Sequence, residues 1–267
     1  MSAASPAAGR NSFLRDSLLI AEKEVKESIY GVKGSMWAVL CALVLSLMSY
    51  LLLTDKELSL LDQTEMLYIV TSLSVGLGLL VAGILGGDAI AGERERTTLE
   101  SALLAPVSRS SLVAGKVWAV LAAWLLIFAI SAPYILVVGA GSTVYASALI
   151  YTFVLGTLCV AGFAALVVGL SALAGSGRSV TLGSLTIFVA MAAPTLLGTA
   201  LQKSWFGSIY NALSPFAQVR LSLDSVIMDK ETLLVQLPHV EALVAFAALG
   251  SAFAAFATSR VSLEGGE

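Results

Sequence analysis

Apolar positions along the chain gather into six long runs, at 34–53, 66–87, 117–138, 146–173, 180–201 and 240–258. Each is close to 20 residues or longer, and at about 1.5 Å of rise per helical residue that is enough to cross the roughly 30 Å hydrocarbon core of a bilayer. Ahead of the first run the pattern is different. Leu14, Leu18, Ala21, Val25 and Ile29 share one face at helical spacing, while Glu22, Lys23, Glu24, Lys26 and Glu27 take the other. This spacing predicts an amphipathic helix lying along the membrane surface, with a solvated lead-in to the first span as the alternative. Residues 1–11 are small and polar with no apolar stretch of signal-peptide type, and they are expected to be disordered. The remainder, 12–267, reads as one transmembrane domain. The expected fold class is an all-α integral membrane protein with six transmembrane helices and an N-terminal amphipathic interfacial helix.

The connections refine that outline. Those after spans one and three are short, whereas 202–238 is long enough to hold structure of its own. Within it Ser214-Pro215 fits an N-cap followed by proline at the first helical position. Phe216, Val219, Leu223, Val226 and Ile227 then form an apolar stripe, with Arg220 and Asp224 four apart. A short helix is expected that dips into or lies on the outer leaflet, or packs on the span ends. Gly76, Gly83 and Gly87 fall on one face of span two and let another backbone approach closely, either within the subunit or across a dimer interface. Pro133 and Pro194 lie inside spans three and five, where a missing hydrogen bond produces a kink or hinge.

Composition agrees with a membrane location. Mean hydropathy is +0.91, with 58% hydrophobic and 12% charged residues. If the N-terminus is inside, eleven Lys and Arg lie on the inner face, and only Lys56, Lys203, Arg220 and Lys230 lie outside. That excess predicts both termini in the cytoplasm and a multi-pass protein of the cell membrane. The net charge of -3 includes no basic cluster, so nucleic acid is not an expected partner; membrane lipid is. Cys41 and Cys159 each sit within an apolar run and suggest buried thiols rather than a disulfide framework.

No ionisable residue is expected in the interiors of the spans, Glu241 being at the lip of the last, which argues against a proton-driven carrier or an ion channel. His239 is the only histidine, and no nucleophile or carboxylate pair is placed to work with it at membrane depth. The "GSGRS" at 175–179 lacks the strand context of a phosphate loop or a hydrolase elbow. Gly115-Lys116 is followed by Val117 where a nucleotide loop needs Ser or Thr. No catalytic residue, metal site or bound cofactor is expected on this chain.

The charged stretch between spans two and three carries the functional reading. After Asp88 come Glu93, Arg94, Glu95 and Arg96; Thr97 and Glu100 then fit a capping box, and Leu99, Ala102 and Leu103 make a narrow apolar face. Pro106 stops that helix, and Ser108 caps the next, which runs through Leu112 and Lys116 into span three. A helix this short is marginal alone and needs a partner's groove, unless the segment is simply a solvated loop against its own span ends. "GERERTTLESALLAPVSR", residues 92–109, with the "LVAGK" that follows, resembles the corresponding segment of ABC-2 type permeases, the membrane subunits of ATP-binding-cassette exporters. Thr97 stands where that family commonly has glycine. The resemblance implies a permease moving a substrate with ATP hydrolysed elsewhere, the ATP and Mg being held by a separate cytoplasmic ABC ATPase. It also implies a second permease copy or related chain completing a twelve-span unit, and a re-entrant outer region at 202–238. In that frame Leu99 and Leu103 seat in an ATPase groove, Thr97 and Pro106 bound the coupling helix, and Glu93, Arg94, Glu95, Arg96, Glu100 and Arg109 fix its register. The alternative is a permease-like module that transmits force or anchors a partner without transport. The cargo is not legible; Ser, Thr and Gly scattered among apolar spans suit a lipid-like, drug-like or peptide substrate and do not exclude a polymer.

Overall fold

The computed structural model describes residues 6–28, 31–54, 61–96, 108–196, 204–231 and 236–259. Among them are ten helices and no strand: α1 (Pro6–Ser28), α2 (Val32–Thr54), α3 (Gln63–Asp88), α4 (Ala91–Glu95), α5 (Arg109–Val138), α6 (Tyr145–Leu173), α7 (Gly177–Leu196), α8 (Trp205–Leu213), α9 (Pro215–Ile227) and α10 (Leu237–Thr258). Five helical stretches are long and apolar enough to cross a membrane: α2, α3 continued through α4, α5, α6 and α10. The fifth apolar run of the sequence corresponds to α7, whose apolar part, Gly177–Ala193, is shorter; residues 197–203, where that run was expected to end, lie outside the described residues.

Local chemistry sets several of the boundaries. Asp62 caps α3 by accepting from Gln63 N at 2.8 Å, and Glu65 reaches back to Asp62 N, completing a capping box. Ser108 Oγ accepts from Ser111 N at 3.1 Å, so α5 begins at Arg109, two turns before the apolar run that it carries. Ser214 and Pro215 start α9 as expected, with Ser214 Oγ accepting from Ala217 N at 3.2 Å.

Trp124 of α5 is the largest buried side chain. It lies between Gly78 of α3 and Gly156 of α6, which offer bare backbone where any other residue would meet the ring, and its Nε1 donates to Thr157 Oγ1 at 2.9 Å. Small residues also bring α6 and α10 together: Gly162 faces Phe246 and Ala247, Gly169 faces Phe253 and Ala254, and Gly250 lies on the Gly162 carbonyl. With no hydrophobic drive between helices in lipid, such close backbone approach supplies the dispersion contact that holds them.

The structure orients α1 differently from its apolar pattern and decides between the two placements open for α9. α1 packs on α5 through Ser17, Ala21 and Glu24, leaving Leu14, Leu18 and Leu19 exposed. Its rotation is set by polar pairing and by Gly115, whose missing side chain admits Ile20 and the Ser17 carbonyl. α9 does not lie on a surface: Phe216, Val219, Leu223, Val226 and Ile227 are buried against α3, α6, α7 and α10. Arg220 is half-buried, donating from Nε to Tyr68 Oη at 3.0 Å with its guanidinium 5.3 Å from the ring centre, so its charge is satisfied by an aromatic partner. The exposed apolar face at this end belongs to α8, through Trp205, Phe206, Ile209 and Leu213.

Gly156→Leu places its Cβ where Trp124 Cζ2 would stand 2.7 Å away, and overpacking of this kind costs about 1–3 kcal/mol. Gly183, helical with nothing within 4 Å, should accept alanine with a gain of up to about 1 kcal/mol. Thermal unfolding in detergent should show the first variant melting well below the parent and the second at or above it.

Candidate functional site

The end of the bundle that carries the charged stretch is built around a break in one long helix. α3 stops at Asp88 and α4 starts at Ala91, leaving backbone N–H groups at the break without helical partners. Ser171 of α6 supplies them: its Oγ accepts from Ile90 N at 3.1 Å and from Ala91 N at 2.9 Å, and donates to Gly87 O at 2.9 Å. The turn after α6 is tied in return. Arg94 donates through Nη2 to Ala172 O at 3.3 Å and through Nη1 to Ala174 O, placing a cation on the negative end of the α6 dipole. Gly92 and Gly177 come into backbone contact at the start of α7, a packing that no side chain would allow.

At the centre stands Lys116. It lies two turns into α5 and is 1% exposed, with its Nζ 2.9 Å from Glu24 Oε1 of α1 and 2.8 Å from Glu93 Oε1 of α4. The carboxylates are themselves only 16% and 18% exposed. An ammonium taken out of water in this way is tolerated only with such partners, so the three helices are bound to one another by a requirement for charge pairing. Beside it a cavity of about 340 Å³ is lined by Glu24, Glu27, Asp88, Glu93, Arg96 and Lys116 among others. Arg96 Nη2 meets Asp88 Oδ2 at 2.6 Å, an exposed pair of the kind worth little on its own. On the far side of α1, Lys26 donates to Glu22 at 2.7 Å, and this hydrogen bond draws the Glu22 carboxyl below its ordinary value.

Of the residues that the sequence singled out, Glu93 and Arg94 are thus drawn into the bundle rather than left in solvent, Arg96 pairs with Asp88, and Glu95 and Arg109 are exposed. Thr97, Leu99, Glu100, Leu103 and Pro106 fall in 97–107, outside the described residues. The three glycines of span two make contacts within the chain: Gly76 faces Phe216 of α9, while Gly83 and Gly87 face Ser184 and Thr181 of α7. Ser184 Oγ also donates to Gly83 O at 2.9 Å. Sequence reading placed Lys116 just outside span three and missed it as a site residue. The available signal was the glycine beside it, which admits α1 closely enough for Glu24 to reach.

Compared with known families, residues 18–263 match the model of the ABC-2 family transporter protein, from within α1 to beyond the end of α10. The chain belongs to the ABC-2 transporter family. It is a multi-pass membrane protein, and as an ABC-2 permease it is a transport component rather than a catalyst. No curated protein matches this ABC-2 chain.

Replacing Lys116 with methionine leaves Glu24 and Glu93 facing each other at a buried position, and breaking a buried pair in this way costs about 3–5 kcal/mol. Restoring neutrality with Glu24→Gln and Glu93→Gln in the same chain should recover most of the loss. Lys23→Ala, which removes a pair with both side chains more than 60% exposed, should change stability by less than about 0.5 kcal/mol. Detergent-solubilised melting curves of these variants check the ranking.

Proposed function

We propose that this ABC-2 chain is the membrane permease subunit of an ATP-driven exporter, with six spans, both termini in the cytoplasm and a coupling helix within 97–107. ATP and Mg are held by a separate cytoplasmic ABC ATPase, and a second permease copy or related chain completes a twelve-span unit in the cell membrane. The family match over residues 18–263 is the observation that carries this reading. The geometry on either side of 97–107 supports it. The chain enters that segment from α4, which is fastened to α1 and α5 by Glu93 and to α6 by Arg94, and leaves it through the Ser108 cap into α5.

A push on such a segment has a defined route. On one side it moves α4 and α3; on the other it moves α5, and Lys116 makes the two sides share the load with α1. An ATPase pair that contacts 97–107 differently in its open and closed states shifts the membrane domain between two arrangements by that difference in contact energy. Leu99 and Leu103 seat in the ATPase groove, Thr97 and Pro106 bound the helix, and Glu95, Glu100 and Arg109 set its register through rim charges. Gly83 and Gly87 keep α7 close to α3, so that the two move as a unit.

Leu99→Ala with Leu103→Ala should remove a few kcal/mol of binding and lower ATPase occupancy by orders of magnitude, with the permease still folded in the membrane. Pull-down of the ATPase and its turnover in proteoliposomes test this. Retention of full association and turnover by the double variant would remove 97–107 as the coupling element. In the same vesicles, ATP-dependent accumulation of a substrate supports export, while hydrolysis with no transported species would mean that the chain transmits force instead.

A further inference from the structure

At the end of the bundle away from Lys116, α6, α9 and α10 line an open cavity of about 610 Å³. Its walls are apolar: Ile150, Val154 and Leu155 of α6, Val226 of α9 and Val240 of α10. From Ser147 near the start of α6 to the buried Leu155 it follows eight helical steps, about 12 Å along the helix axis. Ile150 and Val154 are exposed, so this wall faces outward from the bundle. Apolar walls of this kind hold water poorly, and in a membrane protein the neighbouring solvent is hydrocarbon.

The mouth has a different character. Lys230 and Glu231 line it, both exposed; neither makes a side-chain hydrogen bond or salt bridge among the described residues, and Glu231 lies close enough to His239 to act on it through space. Lys230 has a φ of 56°, the only left-handed non-glycine backbone among the described residues, and Glu231 N donates back to Ser225 O at 3.1 Å. The chain reversal after α9 therefore brings a cation and an anion to the mouth of an apolar slot.

We propose that this cavity binds one acyl chain of a phosphatidylethanolamine, with the headgroup phosphate at Lys230 and its primary ammonium at Glu231. The adjacent opposite charges are complementary to a headgroup that carries both signs. A purely anionic headgroup leaves Glu231 facing like charge, and a quaternary choline has no N–H to donate to it. The site stands apart from the charged junction at the other end, and it requires only the membrane setting, whatever the cargo or the ATPase.

The test uses the full-length protein in phosphatidylcholine nanodiscs carrying a trace of phosphatidylethanolamine with a diazirine in its acyl chain, and a matched phosphatidylcholine probe. Photolysis followed by peptide mapping should place ethanolamine-probe adducts on residues 147–155. Ile150→Trp and Val154→Trp, which fill the slot from exposed positions, should abolish those adducts while leaving labelling of α2 unchanged, which reports an intact bundle. Lys230→Ala with Glu231→Ala should keep chain labelling but lose a preference for the ethanolamine probe of roughly tenfold, the value expected for one charge-assisted hydrogen bond. Undiminished labelling of 147–155 in both tryptophan variants would overturn the cavity as the acyl site. Equal labelling by the two probes in the parent protein would overturn the headgroup assignment.

Discussion

Burying an ammonium group without a partner costs far more than any single apolar contact returns, and Lys116 is buried almost completely. It is held by Glu24 from α1 and Glu93 from α4, so three elements distant in sequence must come together or the charge is stranded. This requirement accounts for features that apolar patterning does not. α1 turns Ser17, Ala21 and Glu24 inward and leaves Leu14 and Leu18 outside, because orienting Glu24 towards Lys116 is worth more than hiding two leucines that can face lipid instead. Gly115 is the companion of that choice, since any side chain there would hold α1 too far away.

The same end of the bundle shows how a helix can be interrupted without leaving polar groups unsatisfied. A break at Ala89 and Ile90 is stable because one hydroxyl, Ser171 Oγ, accepts two backbone N–H groups and donates to a third residue. Arg94 closes the circuit by capping the carbonyl end of α6. The junction thus links α1, α3, α4, α5 and α6 through polar bonds, while deeper in the bundle the same helices are joined by glycine-mediated contact around Trp124 and between α6 and α10.

Much of this was legible in the sequence. Long apolar runs disclosed the five described helical stretches that are long and apolar enough to cross a membrane, because in lipid only a helix satisfies its own backbone. The caps at Ser108 and Ser214-Pro215 were legible because capping depends on neighbours a few residues away. What escaped depends on distant partners. Lys116 sits just before an apolar run and so looked like a boundary residue; its burial follows from Glu24, which lies 92 positions earlier. Arg220 looked solvated until Tyr68, 152 positions away, supplied its contact. The apolar stripe of α9 was legible but its cover was not, since a hydrophobic face in a membrane protein does not reveal whether lipid or protein lies against it; of the two placements the sequence left open, the structure shows the packed one.

Lys116 fastens α1 to the transmembrane bundle. Backbone hydrogen exchange of the detergent-solubilised protein tests it most directly, by comparing the amides of residues 17–27 in the parent chain and in a Lys116→Met variant. In the variant α1 should lose protection while α6 and α10, which are joined by small-residue packing, keep theirs. Unchanged protection of α1 in a folded Lys116→Met protein would contradict it.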